Sequence, residues 1–247
     1  MRLAIAILVS LLAAGPAAAD TVEQDVDRYV AMFNGDASRH PASAESLGWM
    51  GLSSERLFDS IEKRLLQDAP ALDLRKIKIE RQRVAWYIRA LGYSGQPKYK
   101  PTIERFLEDR DYLVYSKNAL RDQPIYQRWN PQISDRAKFD ASQSDDVNRA
   151  MNMVRSDDFR LKELGAKRVY YGNARAKPLY ELLAAEIRAN YLRDDNTIAD
   201  PLAWMIKALA SSRDVAYKAL VEEIIEKAPH AHVVRHARSA ASDYFPR

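Results

Sequence analysis

The chain has 247 residues, with 38 Lys+Arg against 34 Asp+Glu, a formal net charge of +4 and no cysteine. The missing cysteine excludes disulfide scaffolds, thiolate metal sites and a cysteine nucleophile. A hydrophobic share of 47% beside 29% charged residues excludes wholesale disorder, and 8 glycines leave little for phosphate-cradling loops.

The chain opens with Met1-Arg2, a nearly unbroken apolar run from Leu3 to Ala14, the helix breaker Gly15-Pro16, and Ala17-Ala18-Ala19 before Asp20. This is the pattern of a cleavable secretory signal peptide over residues 1–19, with cleavage expected after Ala19 and a periplasmic destination. A spanning helix needs about 20 apolar residues, so no integral membrane segment is expected after cleavage. Removing residues 1–19 takes away one cation and no acid, leaving a net charge of +3. That is too weak a charge, in an exported chain, to point to nucleic acid.

Residues 20–42 read as a capping helix and loop, with Val22, Val26, Tyr29, Val30 and Phe33 on one face up to Asn34-Gly35. Residues 36–46 are small and polar and read as loop. Ser54 caps a helix carrying Leu57, Phe58, Ile61, Leu65 and Leu66. Ile79 to Leu91 forms the next helix, stopped by Gly92 and Gly95-Gln96-Pro97. Pro101 opens another, and Tyr112 to Leu120 continues as helix until Pro124. Pro124, Trp129-Asn130-Pro131 and Ser142 to Asp146 break the pattern, so about 124–158 is expected to hold an irregular or degenerate unit. Further helices are expected at about 146–155, 158–171, 178–191, 200–211, 215–228 and 232–243. Strand-like alternation is nearly absent, and the fold class expected is all-α.

Self-comparison exposes a repeat. Residues 85–108 (AWYIRALGYSGQPKYKPTIERFLE) align without gaps on 203–226 (AWMIKALASSRDVAYKALVEEIIE), at an offset of 118 with ten identities. Two fainter copies place second helices near 61 and 181, beside those near 103 and 221. The steps of 42, 78 and 40 residues indicate a period of about 40, as in an α-solenoid. ALGYSGQPKYKPTIERFLE and VVRHARSAA resemble HEAT repeats. The resemblance implies an α-solenoid of HEAT-like helix pairs over 43–247, and a role in protein–protein interaction or scaffolding in the periplasm or cell envelope, with a protein partner and no cofactor.

The repeat also nominates a binding ridge: Arg89, Tyr99 and Lys100 with their counterparts Lys207, Tyr217 and Lys218, because Tyr and Arg favour interface anchors. A different class of reading is an enzyme or metal-dependent module in 124–158, built from Trp129, Asn130, Asp135, Asp140, Asp145 and Asp146. Convergence of those acids on a pocket with His or Lys discriminates the two. His230, His232 and His236 cluster, with His232 and His236 at the i, i+4 spacing that lets imidazoles share a metal. An exposed helix start accounts for them equally, and no catalytic or metal residue is assigned.

Overall fold

The computed structural model describes residues 21–69, 78–172 and 174–245. The expected signal peptide lies outside the described residues. Among the described residues there are twelve α-helices, short 3-10 turns and no strand, so the chain is all-α. The helices are α1 Val22–Asn34, α2 His40–Ser46, α3 Glu55–Asp68, α4 Lys78–Tyr93, α5 Lys100–Glu104 and α6 Leu113–Ile133. They continue as α7 Asp145–Arg155, α8 Phe159–Tyr170, α9 Lys177–Asn190, α10 Asn196–Ala210, α11 Lys218–Lys227 and α12 Ala231–Tyr244.

Local chemistry explains most boundaries. Thr21 and Gln24 form a reciprocal capping box at the start of α1, and Val26, Tyr29 and Phe33 then bury one stripe. Ser144 accepts from Val147 N at the start of α7, and Asp158 accepts from Arg160 N and Leu161 N at the start of α8.

Two expectations change. The polar stretch 36–46 contains α2, where Pro41 sits in the first turn, a position whose N–H has no partner within the helix. The helix begun near Tyr112 does not stop at Pro124. α6 runs 21 residues with Pro124 and Pro131 inside it. Long-range bonds hold its far end in place: Tyr126 Oη donates to Gly48 O at 2.9 Å, and Asn130 Nδ2 donates to Tyr93 O at 2.9 Å. Irregular chain is thereby confined to 134–144, since α7 begins at Asp145.

The self-match has a structural counterpart. The 3-10 turn Pro97–Tyr99 recurs as Val215–Tyr217, α5 starts at Lys100 and α11 at Lys218, and α6 starts at Leu113 and α12 at Ala231. Every one of these pairs is 118 residues apart. The correspondence extends further. α1 to α6 repeat as α7 to α12 in element order, and the same pairs touch in both halves: first with second, first with third, second with fourth, third with fourth, fourth with sixth and fifth with sixth. Each half owns an apolar core. One runs from Val26 to Ile133 and borrows Met153 and Leu161; the other runs from Val147 to Phe245. At the α4–α6 crossing a Cβ on Gly92 would lie 2.7 Å from Ala119 backbone, so glycine there sets the close approach.

The joint between halves is polar. Fully buried Asp25 of α1 receives Arg28, Arg149 of α7, and Arg136 at 2.8 Å. Burial pushes its carboxyl up while Arg149, Arg28 and Arg136 pull it back. Trp129 Nε1 donates to Asp158 at 2.8 Å, and Arg168 stacks 4.0 Å above Trp49.

Candidate functional site

The six ridge residues named by the repeat do not share one surface. Tyr99 is fully buried and donates to Asp59 Oδ1 at 2.8 Å; Tyr217 is also buried. Their identity reflects a shared core position at the start of the second helix. Arg89 pairs with Asp122 at 2.8 Å and donates to Tyr93 Oη at 3.0 Å, both in a mostly buried setting. Lys100 and Lys218 are surface residues with equivalent partners, Glu104 at 3.7 Å and Glu222 at 3.9 Å. Such exposed pairs contribute about 0–1 kcal/mol. Lys207 alone joins a wider constellation.

The acids of 124–158 are engaged locally. Asp135 caps the turn at Ala137 N, Asp140 binds its own Ser142, and Asp145 pairs with Arg136 at 2.5 Å. Asn130 is buried and donates to three carbonyls, those of Leu52, Tyr93 and Ser94. Trp129 serves the joint. These residues do not converge on one pocket. Asp145 and Asp146 line a cleft of about 530 Å³ with Arg28, Tyr29, Trp49, Arg149 and Arg168, but its charges chiefly satisfy one another across the joint.

The histidines also find protein partners. His230 meets Asn196 Oδ1 at 2.9 Å, His232 meets Asp200 Oδ1 at 2.6 Å, and the His232 and His236 rings lie 4.5 Å apart. Burial, with Lys207 beside it, lowers the His236 pKa. Among the described residues no group of three or more His, Asp and Glu side chains is placed to hold a metal.

A constellation of partly exposed aromatic and cationic groups lies around Trp204. The indole is half-buried on α10. Lys167 Nζ of α8 sits 4.8 Å from its centroid and Lys207 Nζ 4.9 Å. Tyr170 meets it edge-on at 5.6 Å and Tyr171 at 6.0 Å, while Tyr171 itself is 67% exposed. Each exposed cation–π contact contributes about 0.5–1 kcal/mol. The helix pattern explains the gathering: α8 ends in Tyr170-Tyr171 where it packs on α10, so its last turn faces Trp204.

Beside it lies a basin of about 390 Å³, lined by Tyr170, Arg175, Ser211, Ser212, Arg213 and Tyr244. A hydrogen bond with Tyr170 helps raise the pKa of Tyr244. The Tyr244 hydroxyl therefore keeps its proton near pH 7, and the two arginines carry the charge of the lining.

Sequence reasoning missed Tyr170, Tyr171, Arg175, Arg213 and Tyr244. Signals in the sequence pointed to Arg213 and Tyr244 alone. The self-match sets Arg213 opposite Gly95, between the identical pairs Ser94/Ser212 and Tyr99/Tyr217. It also extends past its 24 residues to Ala119/Ala237 and Tyr126/Tyr244. Comparisons with family models, curated proteins and solved structures return no match to this chain.

Proposed function

We propose that the mature chain is an exported helical-repeat binding module, a solenoid of HEAT-like helix pairs that docks a protein partner in the cell envelope on the surface around Trp204. The observation that carries the docking face is the exposed Tyr171 beside an indole held between Lys167 and Lys207. Aromatic rings with cationic rims supply contact area at low entropic cost and favour partners with acidic surfaces. Recurrence of the same helix pairings in both halves supports the solenoid reading, because stacked pairs bury stripes that one pair leaves open. Among the described residues no helix is long and apolar enough to cross a membrane. Export rests on residues 1–19 and is checked separately: the mass of the purified chain should correspond to a start at Asp20, and retention of Met1 would overturn it.

The docking test places a photo-crosslinking amino acid at Tyr171 in cells that make the native protein. A discrete adduct that disappears with Lys207→Glu supports the reading. An absence of adducts, or the same adducts from a crosslinker at exposed Leu192 on another turn, sinks it.

A further inference from the structure

Arg213 is the one non-glycine residue with positive φ among the described residues, at +58°. Its counterpart 118 residues earlier is Gly95, at +68°. Both follow the same turn chemistry, since Ser94 Oγ accepts from Gln96 N at 3.0 Å and Ser212 Oγ accepts from Asp214 N at 3.2 Å. The duplicated turn therefore demands a left-handed residue. Glycine meets that demand without steric cost, whereas an L side chain costs roughly 1–2 kcal/mol.

In the first half a side chain has no room. A Cβ on Gly95 would sit 2.5 Å from Gln127 N and 2.8 Å from Tyr126 C, because α6 continues across the turn. There Asn130 Nδ2 donates to Tyr93 O and Ser94 O, the carbonyls that close α4. In the second half α12 stops at Tyr244, the counterpart of Tyr126. The counterparts of the two carbonyls, on Ser211 and Ser212, accept no hydrogen bond from the described residues. The basin of about 390 Å³ opens at this place, and exposed Arg213 and Arg175 line it without an acid among the lining residues. Neither arginine forms an ion pair with a described residue. The nearby acids are engaged: Asp214 Oδ1 accepts from Ala216 N at 2.9 Å and Asp243 Oδ2 from Ser239 Oγ at 3.2 Å.

We propose that this basin binds an acidic peptide segment, its carboxylate held by Arg175 and Arg213 and its N–H groups donating to the carbonyls of Ser211 and Ser212, in the place that the Tyr126–Asn130 turn fills in the first half. Charge complementarity selects the carboxylate, since guanidinium forks match its geometry. The counterpart turn selects a peptide segment, since an amide carried on one, the Asn130 side-chain Nδ2, already satisfies those carbonyls in the first half. As a description of the partner this rests on the docking reading; as a peptide-binding basin it stands alone.

The test titrates the mature protein with an N-acetylated, C-amidated tetraglutamate peptide and with its tetraglutamine analogue, following the Arg175 and Arg213 Nε–Hε signals by NMR. The glutamate peptide should shift both signals and bind about tenfold or more tightly than the glutamine peptide, the discrimination expected when hydrogen bonds to a charged group are lost. Arg213→Gly restores the residue that the first half uses and should fold at least as well as the parent, yet bind the glutamate peptide about tenfold or more weakly. Arg175→Gln should weaken it similarly. Equal binding of the two peptides, or unchanged binding in both variants, overturns the proposal. A Tyr171 adduct that persists in Arg213→Gly, while the parent protein binds no glutamate peptide, leaves the docking reading standing and removes this one. Glutamate-peptide binding without any Tyr171 adduct does the reverse.

Discussion

At the residue scale, identical chemistry in the two halves is put to different use by its surroundings. Tyr99 and Tyr217 match because both are core residues, whereas Gly95 and Arg213 differ because one turn is covered and the other open. This contrast predicts opposite effects of two substitutions. Arg213→Gly relieves left-handed strain of roughly 1–2 kcal/mol and returns part of it as extra freedom in the unfolded chain, for a net gain of about 0.5–1 kcal/mol. Gly95→Ala introduces that strain and drives a Cβ into Gln127 backbone, so a loss of about 2–3 kcal/mol is expected. Urea denaturation at neutral pH measures both. A second residue-scale effect is the pH dependence of His40. Its ring is buried and its Nδ1 lies 2.5 Å from Tyr87 Oη. Burial, followed by Arg64, lowers its pKa from 6.5, with Arg83 adding and Met32 O and Asp68 opposing. Below pH 6.5 and above the folded value, the unfolded chain holds a proton that the folded chain does not. Stability is therefore full above that window and falls as pH drops through it. The urea midpoint should decline below about pH 6.5. In His40→Gln the decline should be shallower, with His236 supplying a remaining slope of the same sign. An unchanged slope in that variant counts against the assignment.

At the element scale, α6 departs most from its sequence pattern. Two prolines and a polar composition read as a break, yet the helix continues because its far end has work in tertiary structure. Tyr126 Oη donates to Gly48 O at 2.9 Å, and Asn130 clips three carbonyls at 2.9–3.1 Å. Each proline removes one ladder bond, a local cost that period and propensity register. The compensating bonds come from residues 36 to 78 positions away and leave no periodic trace. Asn130→Ala should accordingly destabilise by about 2–3 kcal/mol, since it strands buried carbonyls as well as losing bonds. Thermal unfolding, together with loss of amide protection in the last two turns of α6, checks it. Shorter helices show the same balance in reverse: α2 forms from a small, polar stretch because Ala44 and His40 pack beneath the flanking helices.

At the scale of the whole molecule, a duplicated six-helix unit is joined by charge. Asp25 ties α1 to α7 through Arg149 and to the 3-10 turn before α7 through Arg136. A buried charge stripped of its partner costs far more than the pair contributes, so Asp25→Ala leaves three guanidiniums, Arg28, Arg136 and Arg149, short of a counter-charge. The expected loss is about 3–5 kcal/mol by urea denaturation. Because the first core also borrows Met153 and Leu161, exchange protection should fall in α7 and α1 together. Loss confined to α1 would argue that the halves are linked by the chain alone. The proposed docking surface belongs to this scale too. Trp204, Lys167, Tyr171 and Lys207 come from two helices, and the basin beside them draws on the ends of α8, α10 and α12.

Composition and 3.6-residue periodicity determined the all-α class and most helices, because an amphipathic stripe is written in neighbouring residues. The gapless self-match determined that two segments share a turn and a helix order. Tertiary structure decided the rest. It extended the match to six helices per half, where core positions tolerate many apolar side chains and identity fades. It also separated the six nominated ridge residues into core, buried ion pair and surface. Spacing along a helix gives a face; whether that face meets water depends on the neighbour packed against it, and that neighbour lies elsewhere in the chain.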